Sequence, residues 1–268
     1  MTRLYFTKSF RLVNTIVFVI VACLFCMSSL LTVPVQAAPK GNNGKKVKPA
    51  KEAPAEDDGG FYGIMPSGNR IVFIVDNSNS MFQRHRFDAA AAELIKAITY
   101  IPYDKHFYVL LFSDTAYPVF HPKGTREWLQ ATDKNKKAVA EWLDYVELCL
   151  RTDAERSLEA AFAMKADEIF ILTDGAFTDD TTKRLLNANV RDVKIHTIGL
   201  EVSQSTKRGK HPEKDLQAIA KRFGGEYRAV ELDQKTIAQF GGNLRKKHNT
   251  RGLVWGLNLG KQKKKKKK

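Results

Sequence analysis

Short, uninterrupted apolar runs constrain what this chain can fold into more than any other feature. Residues 71–75 and 107–112 are such runs, and residues 168–173 contain a third. Strands that are buried on both faces of a parallel sheet have this pattern, because neither face of the strand meets water. Residues 193–199 alternate apolar and polar side chains and also favour a strand, and residues 226–230 predict a short last strand.

The segments between these runs have helical periodicity. From Phe87 to Ile98, apolar residues recur three or four positions apart, as on one face of an amphipathic helix. Residues 116–120 follow the second run too closely for a crossover, so they predict an antiparallel edge strand, where Pro118 is tolerated. Further helices are predicted over residues 136–146, 155–165, 181–189, 213–223 and 235–247.

This alternation of strands and helices predicts an α/β fold. We expect a doubly wound, mostly parallel six-stranded sheet with one antiparallel edge strand and helices on both faces. In such sheets, ligands bind at the loops that follow the carboxyl ends of the strands.

The positive charge of the chain lies at its ends. The formal net charge is +15, yet the acidic and basic residues of residues 61–244 balance. Residues 245–268 contain eleven Lys or Arg and no acid, and six of these lysines run from Lys263 to Lys268. This distribution excludes a large basic groove as the main feature of the domain. The lysine run is either an element that attracts an anionic surface or a solvated tail without a specific role.

The N-terminal residues predict export. Residues 1–11 are basic without an acid, and residues 15–33 carry no charge. A pattern of small residues that ends at Ala37 suits signal peptidase. Residues 1–37 are therefore either a cleaved signal peptide or an uncleaved anchor that spans the membrane with residues 12–33. Acylation at Cys23 is a third alternative. Each alternative predicts a periplasmic, secreted or membrane-anchored protein.

Oxygen-bearing side chains follow two of the predicted strands. Asp76, Ser78 and Ser80 come directly after the first strand, at alternate positions that can turn toward one point. Asp174 follows the strand of residues 168–173, and Thr152 lies in a loop before a helix. Carboxylates and hydroxyls are hard ligands that suit Mg²⁺, or Mn²⁺ as a substitute. The alternative is a set of turns in which short polar side chains cap backbone amides.

These loops resemble the metal-ion-dependent adhesion site of the von Willebrand factor type A domain family, over roughly residues 68–232. Asp76, Ser78 and Ser80 match the first loop of that site, Thr152 the second and Asp174 the third. The resemblance implies that the serines and the threonine bind the metal directly and that the aspartates often act through water. It also implies that an Asp or Glu of a protein partner completes the coordination.

Four further residues are predicted to form a rim that contacts the partner. Asn77 and Asn79 alternate with the metal residues of the first loop, and Arg151 precedes Thr152. Asp179 follows the third loop and is either a rim residue or the start of a helix. Arg151 departs from the family, in which glycine is frequent at this position, and a cation there would either weaken the binding of the metal or form a pair with Asp153.

The resemblance also completes the predicted organisation and function. Residues 1–37 are the signal or anchor, residues 38–60 a flexible linker, residues 61–247 the domain, and residues 248–268 a disordered lysine-rich tail. We expect a metal-dependent protein-binding module with no small-molecule cofactor. The alternative is a binder of anionic membrane, cell-wall polymer or nucleic acid through its lysine tail. A metal-dependent hydrolase is a weaker alternative, because no nucleophile elbow, phosphate-binding loop or His-Glu-x-x-His motif occurs.

Overall fold

The computed structural model describes residues 59–149, 152–175, 177, 180–190, 192–202, 211–242 and 245–247. The predicted signal or anchor, nearly all of the predicted linker and the lysine-rich tail lie outside these ranges. Among the described residues, no helix has both the length and the apolar character needed to cross a membrane.

The sheet has the predicted parallel centre. Within the described ranges its strands are β1 (Arg70–Asp76), β2 (His106–Phe112), β3 (Ala116–Pro118), β4 (Leu129–Gln130), β5 (Glu168–Thr173), β6 (Lys194–Leu200) and β7 (Gly224–Val230). Their order is β3-β2-β1-β5-β6-β7, and the short β4 pairs with β2. β1, β2, β5, β6 and β7 pair in parallel, whereas β3 and β4 run antiparallel to β2. The predicted fold class is confirmed, with β4 as an additional strand of two residues.

The helices surround this sheet in the order that the periodicity predicts. They are α1 (Arg86–Thr99), α2 (Asp133–Asp144), α3 (Glu155–Ala163), α4 (Thr181–Asn187), α5 (Pro212–Arg222) and α6 (Gln234–Ala238). A 3₁₀ segment, Asn79–His85, connects β1 to α1. The apolar stripe of α1, which includes Phe87, Leu94 and Ile98, is buried in the core.

Aromatic packing ties the two central strands together. Phe73 of β1 and Phe170 of β5 are partners in the parallel register, and their rings stack with centroids 5.2 Å apart. Phe61 packs edge-on against both rings, at 5.5 and 6.0 Å. Aromatic pairs of this kind contribute about 0.5–1.5 kcal/mol beyond the burial of their area. β1 and β5 are thereby held as one rigid unit, and their carboxyl ends carry the predicted site.

The prediction of a closing helix over residues 235–247 is wrong. α6 ends at Ala238, and Gly241 and Gly242 follow, residues that weaken a helix because of their backbone freedom. Farther on, the backbone N–H of Leu148 donates to the carbonyl of Lys246 at 3.0 Å. Arg245, which falls within the predicted helix, donates from Nε to Asp88 Oδ1 at 2.5 Å.

Candidate metal centre

The first loop of the site is organised around a fully buried carboxylate. Asp76 is the last residue of β1 and has no exposed surface. Its Oδ1 accepts a hydrogen bond from the backbone N–H of Ser78 at 2.8 Å, which bends the chain directly after the strand. Ser78 Oγ lies 3.0 Å from Ser80 Oγ, so the alternate spacing in the sequence does bring both hydroxyls together.

The end of β5 completes the cluster. Ser80 Oγ donates to Asp174 Oδ1 at 2.8 Å, and Thr173 Oγ1 donates to Asp76 Oδ2 at 2.7 Å. Hydrogen bonds therefore join the residues that follow β1 to the residues at the end of β5. Asp76, Ser78, Ser80 and Asp174 form one connected group of carboxylate and hydroxyl oxygens at the carboxyl edge of the sheet.

The electrostatics of this group favour a cation. Burial raises the pKa of Asp76 to about 7, and the charge of Asp174 adds to the rise. Burial also raises the pKa of Asp174, although hydrogen bonds from Ser80 and Arg86 oppose the effect. The repulsion from Asp174 that raises the pKa of the buried Asp76 is removed by a positive ion between the two carboxylates.

The donor chemistry also fits a small divalent cation. Carboxylate and hydroxyl oxygens are hard ligands, and Mg²⁺ and Mn²⁺ prefer such oxygens together with retained waters. Nowhere in the described part of the chain do three or more His, Cys, Asp or Glu side chains group as metal ligands. Any cation held here therefore depends on the two serine hydroxyls as well as on the two aspartates.

The predicted second loop lies at the same edge of the sheet. Thr152 is half-buried in the segment that precedes α3. The next residue, Asp153, donates its backbone N–H to the carbonyl of Ser113 at 2.5 Å, just beyond the end of β2. This contact fixes the segment beside β2, whose last residue Phe112 pairs with Asp76.

The predicted rim residues occupy different environments. Asn77 is buried, and its side-chain amide donates to the carbonyl of Glu147 at 3.2 Å, so it braces the first loop from within. Asn79 is half-buried. Arg151 and Asp179 lie outside the described residues. Cys149 is buried, and its backbone N–H donates to the carbonyl of Asn77 at 3.0 Å.

Sequence reasoning missed a pair of charged residues beside the site. Arg86, the first residue of α1, donates from Nη1 to Asp174 Oδ2 at 2.8 Å and from Nε to Glu201 Oε2 at 2.7 Å. Arg84 Nε approaches the other oxygen of Glu201 at 2.8 Å. Glu201 directly follows β6, so the rule that functional residues follow parallel strands could have indicated it. Nothing in the local pattern indicates the long-range contact of Arg86.

Comparison with known proteins gives one family. The sequence model of the von Willebrand factor type A domain matches residues 69–229, more than half of the chain. Among curated proteins, none matches this sequence.

Solved structures resemble the chain at low sequence identity. A von Willebrand factor type A structure from Catenulispora acidiphila aligns with a TM-score of 0.53 and 21% identity, over 65% of this chain and 41% of that chain. The conserved hypothetical protein BatB from Bacteroides thetaiotaomicron aligns with a TM-score of 0.48 and 15% identity, over 65% and 95%. Proximal thread matrix protein 1 from the mussel byssus, with a zinc-occupied MIDAS motif, aligns with a TM-score of 0.45 and 17% identity, over 63% and 44%. The chain thus spans less than half the length of the first and third of these proteins, and the likeness to the first shows the fold.

Proposed function

Because this chain belongs to the von Willebrand factor type A domain family, we propose that it is a protein-binding module that works through a divalent cation. The cation is Mg²⁺, or Mn²⁺ as a substitute, and a protein partner contributes an Asp or Glu carboxylate to it. One observation carries the proposal: Asp76, Ser78, Ser80 and Asp174 converge as a hydrogen-bonded cluster of hard oxygens around two buried carboxylates.

The residues of the cluster have distinct roles in this proposal. Ser78 and Ser80 offer hydroxyl oxygens to the cation, and Asp76 and Asp174 supply the negative charge. Thr152 contributes a further hydroxyl from the second loop. The bound cation supplies a Lewis-acid position at which an incoming carboxylate replaces a water molecule.

The rest of the chain sets where the module acts. We propose that residues 1–37 direct export or anchor the chain, that residues 38–60 are a linker, and that residues 61–247 act outside the cytoplasm. Asn79, Arg151 and Asp179 would contact the partner around the cation. We propose no catalytic role for the site. The attraction of the tail from Lys263 to Lys268 to anionic surfaces stays a separate prediction.

The proposal is tested by the relaxation of water protons around Mn²⁺ bound to the purified full-length chain. Protein-bound Mn²⁺ enhances the relaxation of the waters that it retains, and a carboxylate that replaces one of them lowers the enhancement. We expect the chain to enhance relaxation and acetate to lower it. Acetamide, which has nearly the same shape but no charge, should have little effect.

A variant connects this signal to the cluster. Ser80→Ala removes one proposed ligand and leaves the strands unchanged, so it should weaken the binding of Mn²⁺ and reduce the enhancement. Relaxation that is the same with and without the chain would overturn the metal site. Equal responses to acetate and acetamide would overturn the capture of a carboxylate and leave the metal site standing.

A further inference from the structure

A buried arginine links the candidate metal site to a second carboxylate behind it. Arg86 is 8% exposed, and its guanidinium lies between Asp174 and Glu201, with contacts of 2.8 and 2.7 Å. Glu201 is also buried. The two oxygens of Asp174 have different partners. Oδ1 accepts a hydrogen bond from Ser80, and Oδ2 accepts one from Arg86. The charge of Arg86 therefore lies one carboxylate away from the hydroxyls.

The stability of the helix does not explain this position of Arg86. Arg86 is the first residue of α1, and the N-terminus of a helix favours negative rather than positive charge. The two preceding residues, Arg84 and His85, both have a φ of 54°, a backbone angle that residues other than glycine rarely adopt. The backbone thus takes a strained path into the helix, and this path brings the guanidinium to Asp174 and Glu201.

The buried positive charge beside the site comes from Arg86. Arg84 is exposed, with 38% of its side chain accessible, so water screens its charge. Arg86 instead holds one oxygen of Asp174 and keeps its charge in a buried position. A divalent cation bound to Asp174 meets this charge, and a carboxylate from a partner offsets the repulsion between the two positive groups.

We propose that Arg86, held in place by Glu201, is a positioning residue that weakens the binding of the cation alone and couples tight binding to the arrival of an acidic ligand. This inference rests on the proposed function. Arg86 opposes the cation by occupying one oxygen of Asp174 and by placing a positive charge near the site. Glu201 reduces this effect of Arg86, because its negative charge compensates part of the positive charge of the guanidinium.

Two variants that each remove one charge test the inference by the direction of their effects. In calorimetric titrations of the full-length chain with Mg²⁺, Arg86→Gln removes the opposing charge, so we expect binding about tenfold tighter. Glu201→Gln leaves the charge of Arg86 less compensated, so we expect binding about tenfold weaker. Arg86→Lys keeps the charge and should stay close to the wild type.

A second readout concerns the coupling between the two ligands. Acetate should tighten the binding of Mg²⁺ more in the wild type than in Arg86→Gln, because the variant has less positive charge to neutralise. The exposed pair Arg228 and Glu226 provides matched controls, and Arg228→Gln and Glu226→Gln should leave both readouts unchanged. If Arg86→Gln does not fold, the double variant Arg86→Gln/Glu201→Gln removes both buried charges and should bind Mg²⁺ more tightly than Glu201→Gln.

The outcomes separate this inference from the proposed function. Weaker binding in both single variants would indicate a purely structural role and would overturn the inference. Wild-type binding that neither variant changes would overturn it too, while the proposed function stands. Binding by Arg86→Gln but not by the wild type would support it in its strongest form. Absence of Mg²⁺ binding in the wild type and in every variant would overturn both.

Discussion

The buried carboxylates of Glu168 and Asp76 differ in the hydrogen bonds that they accept. This difference separates a carboxylate that stabilises the fold from a candidate metal ligand. Glu168, at the start of β5, accepts hydrogen bonds from the backbone N–H groups of Ser67 and Gly68, at 2.7 and 2.8 Å. His196 lies 3.2 Å from its other oxygen. Burial raises the pKa of Glu168, but these hydrogen bonds outweigh it and lower the pKa to about 2. Asp76 has fewer donors and a raised pKa, so its charge is left for a cation to balance.

The hydrogen bonds of Glu168 predict a dependence of stability on pH. Its folded pKa of about 2 lies below the ordinary 4.5, so it contributes stability above pH 4.5 that is lost as the pH falls toward 2. Glu168→Gln should therefore lower the free energy of unfolding at pH 7 by about 1–3 kcal/mol. The difference from the wild type should close between pH 4.5 and 2. Urea titrations across this range measure it.

The exposed Glu159 of α3 provides the matched control for this substitution. Glu159→Gln makes the same chemical change without removing a buried hydrogen bond, so its stability should follow that of the wild type at each pH. Parallel curves for Glu168→Gln and the wild type would contradict the assignment of Glu168.

For single residues, the sequence predicts which neighbours in the chain come together at the site. It misses the contacts between residues that lie far apart in the chain. Asp76, Ser78 and Ser80 could be chosen because alternate polar residues after a buried strand can face one point, and the structure brings them together. Arg86 and Glu201 could not be paired, since 115 residues separate them and only the folded sheet brings them into contact.

At the scale of elements, β6 and β7 approach more closely than a side chain allows. Gly225 lies in β7 against the backbone of β6, and a Cβ atom there would be 1.9 Å from the carbonyl oxygen of Ile195. A glycine pair after a helical pattern is a common signal for the end of a helix, but the sequence gives no sign of this contact. The glycine pair serves both purposes, because Gly224 has a φ of 64° and β7 begins there.

This approach predicts that Gly225→Ala is strongly destabilising. The added methyl group meets backbone atoms, which cannot move aside as a flexible side chain can. We expect a loss of roughly 3 kcal/mol or more, which lowers the thermal midpoint by about 6–12 °C in a domain of this size. Differential scanning calorimetry measures the shift.

The control for this experiment is the second exposed glycine after α6. Gly242 has no atom within 4 Å of the position that a Cβ would take, so Gly242→Ala should leave the midpoint almost unchanged. Equal midpoints for the two variants would show that β7 does not pack against β6 as described.

Sequence periodicity predicts most accurately the elements that have one strong pattern. Residues 71–75 and 107–112 are buried runs and form the parallel strands β1 and β2. The C-terminal residues have a helical stripe but end differently, because Arg245 finds partners in Asp88 and in the carbonyl of Leu143. Tertiary contacts of this kind override weak local preference, and they explain why the end of the domain could not be predicted.

At the scale of the whole molecule, the net positive charge of the chain comes from residues other than those of the candidate metal centre. Residues 61–244 are neutral in sum, whereas residues 245–268 carry eleven positive charges. We therefore predict that an attraction to anionic surfaces through the tail and a metal-dependent contact through the domain are separate properties, each of which can be removed without the other.

Deletion of residues 261–268 tests this separation. The deletion removes seven lysines, and each basic residue near an anionic membrane contributes about 1 kcal/mol of attraction. We expect binding to vesicles that contain phosphatidylserine to fall steeply at low salt, with little change in the affinity for Mg²⁺. Sedimentation with the vesicles and calorimetry measure the two properties. Loss of Mg²⁺ binding on deletion would contradict their independence.

The central claim is that Asp76, Ser78, Ser80 and Asp174 hold a divalent cation, and calorimetric titration of the full-length chain with Mg²⁺ tests it most directly. Asp76→Asn removes a buried charge and keeps one oxygen to accept from the backbone N–H of Ser78. Its amide NH₂ can donate to Thr173 Oγ1, which can itself donate to the carbonyl of Gly175. The exposed Asp133, at the start of α2, provides the same substitution away from the site. The account predicts saturable heat for the wild type and for Asp133→Asn, and none for Asp76→Asn. Absence of heat in the wild type and also in Arg86→Gln, or equal heat in the wild type and Asp76→Asn, would contradict it.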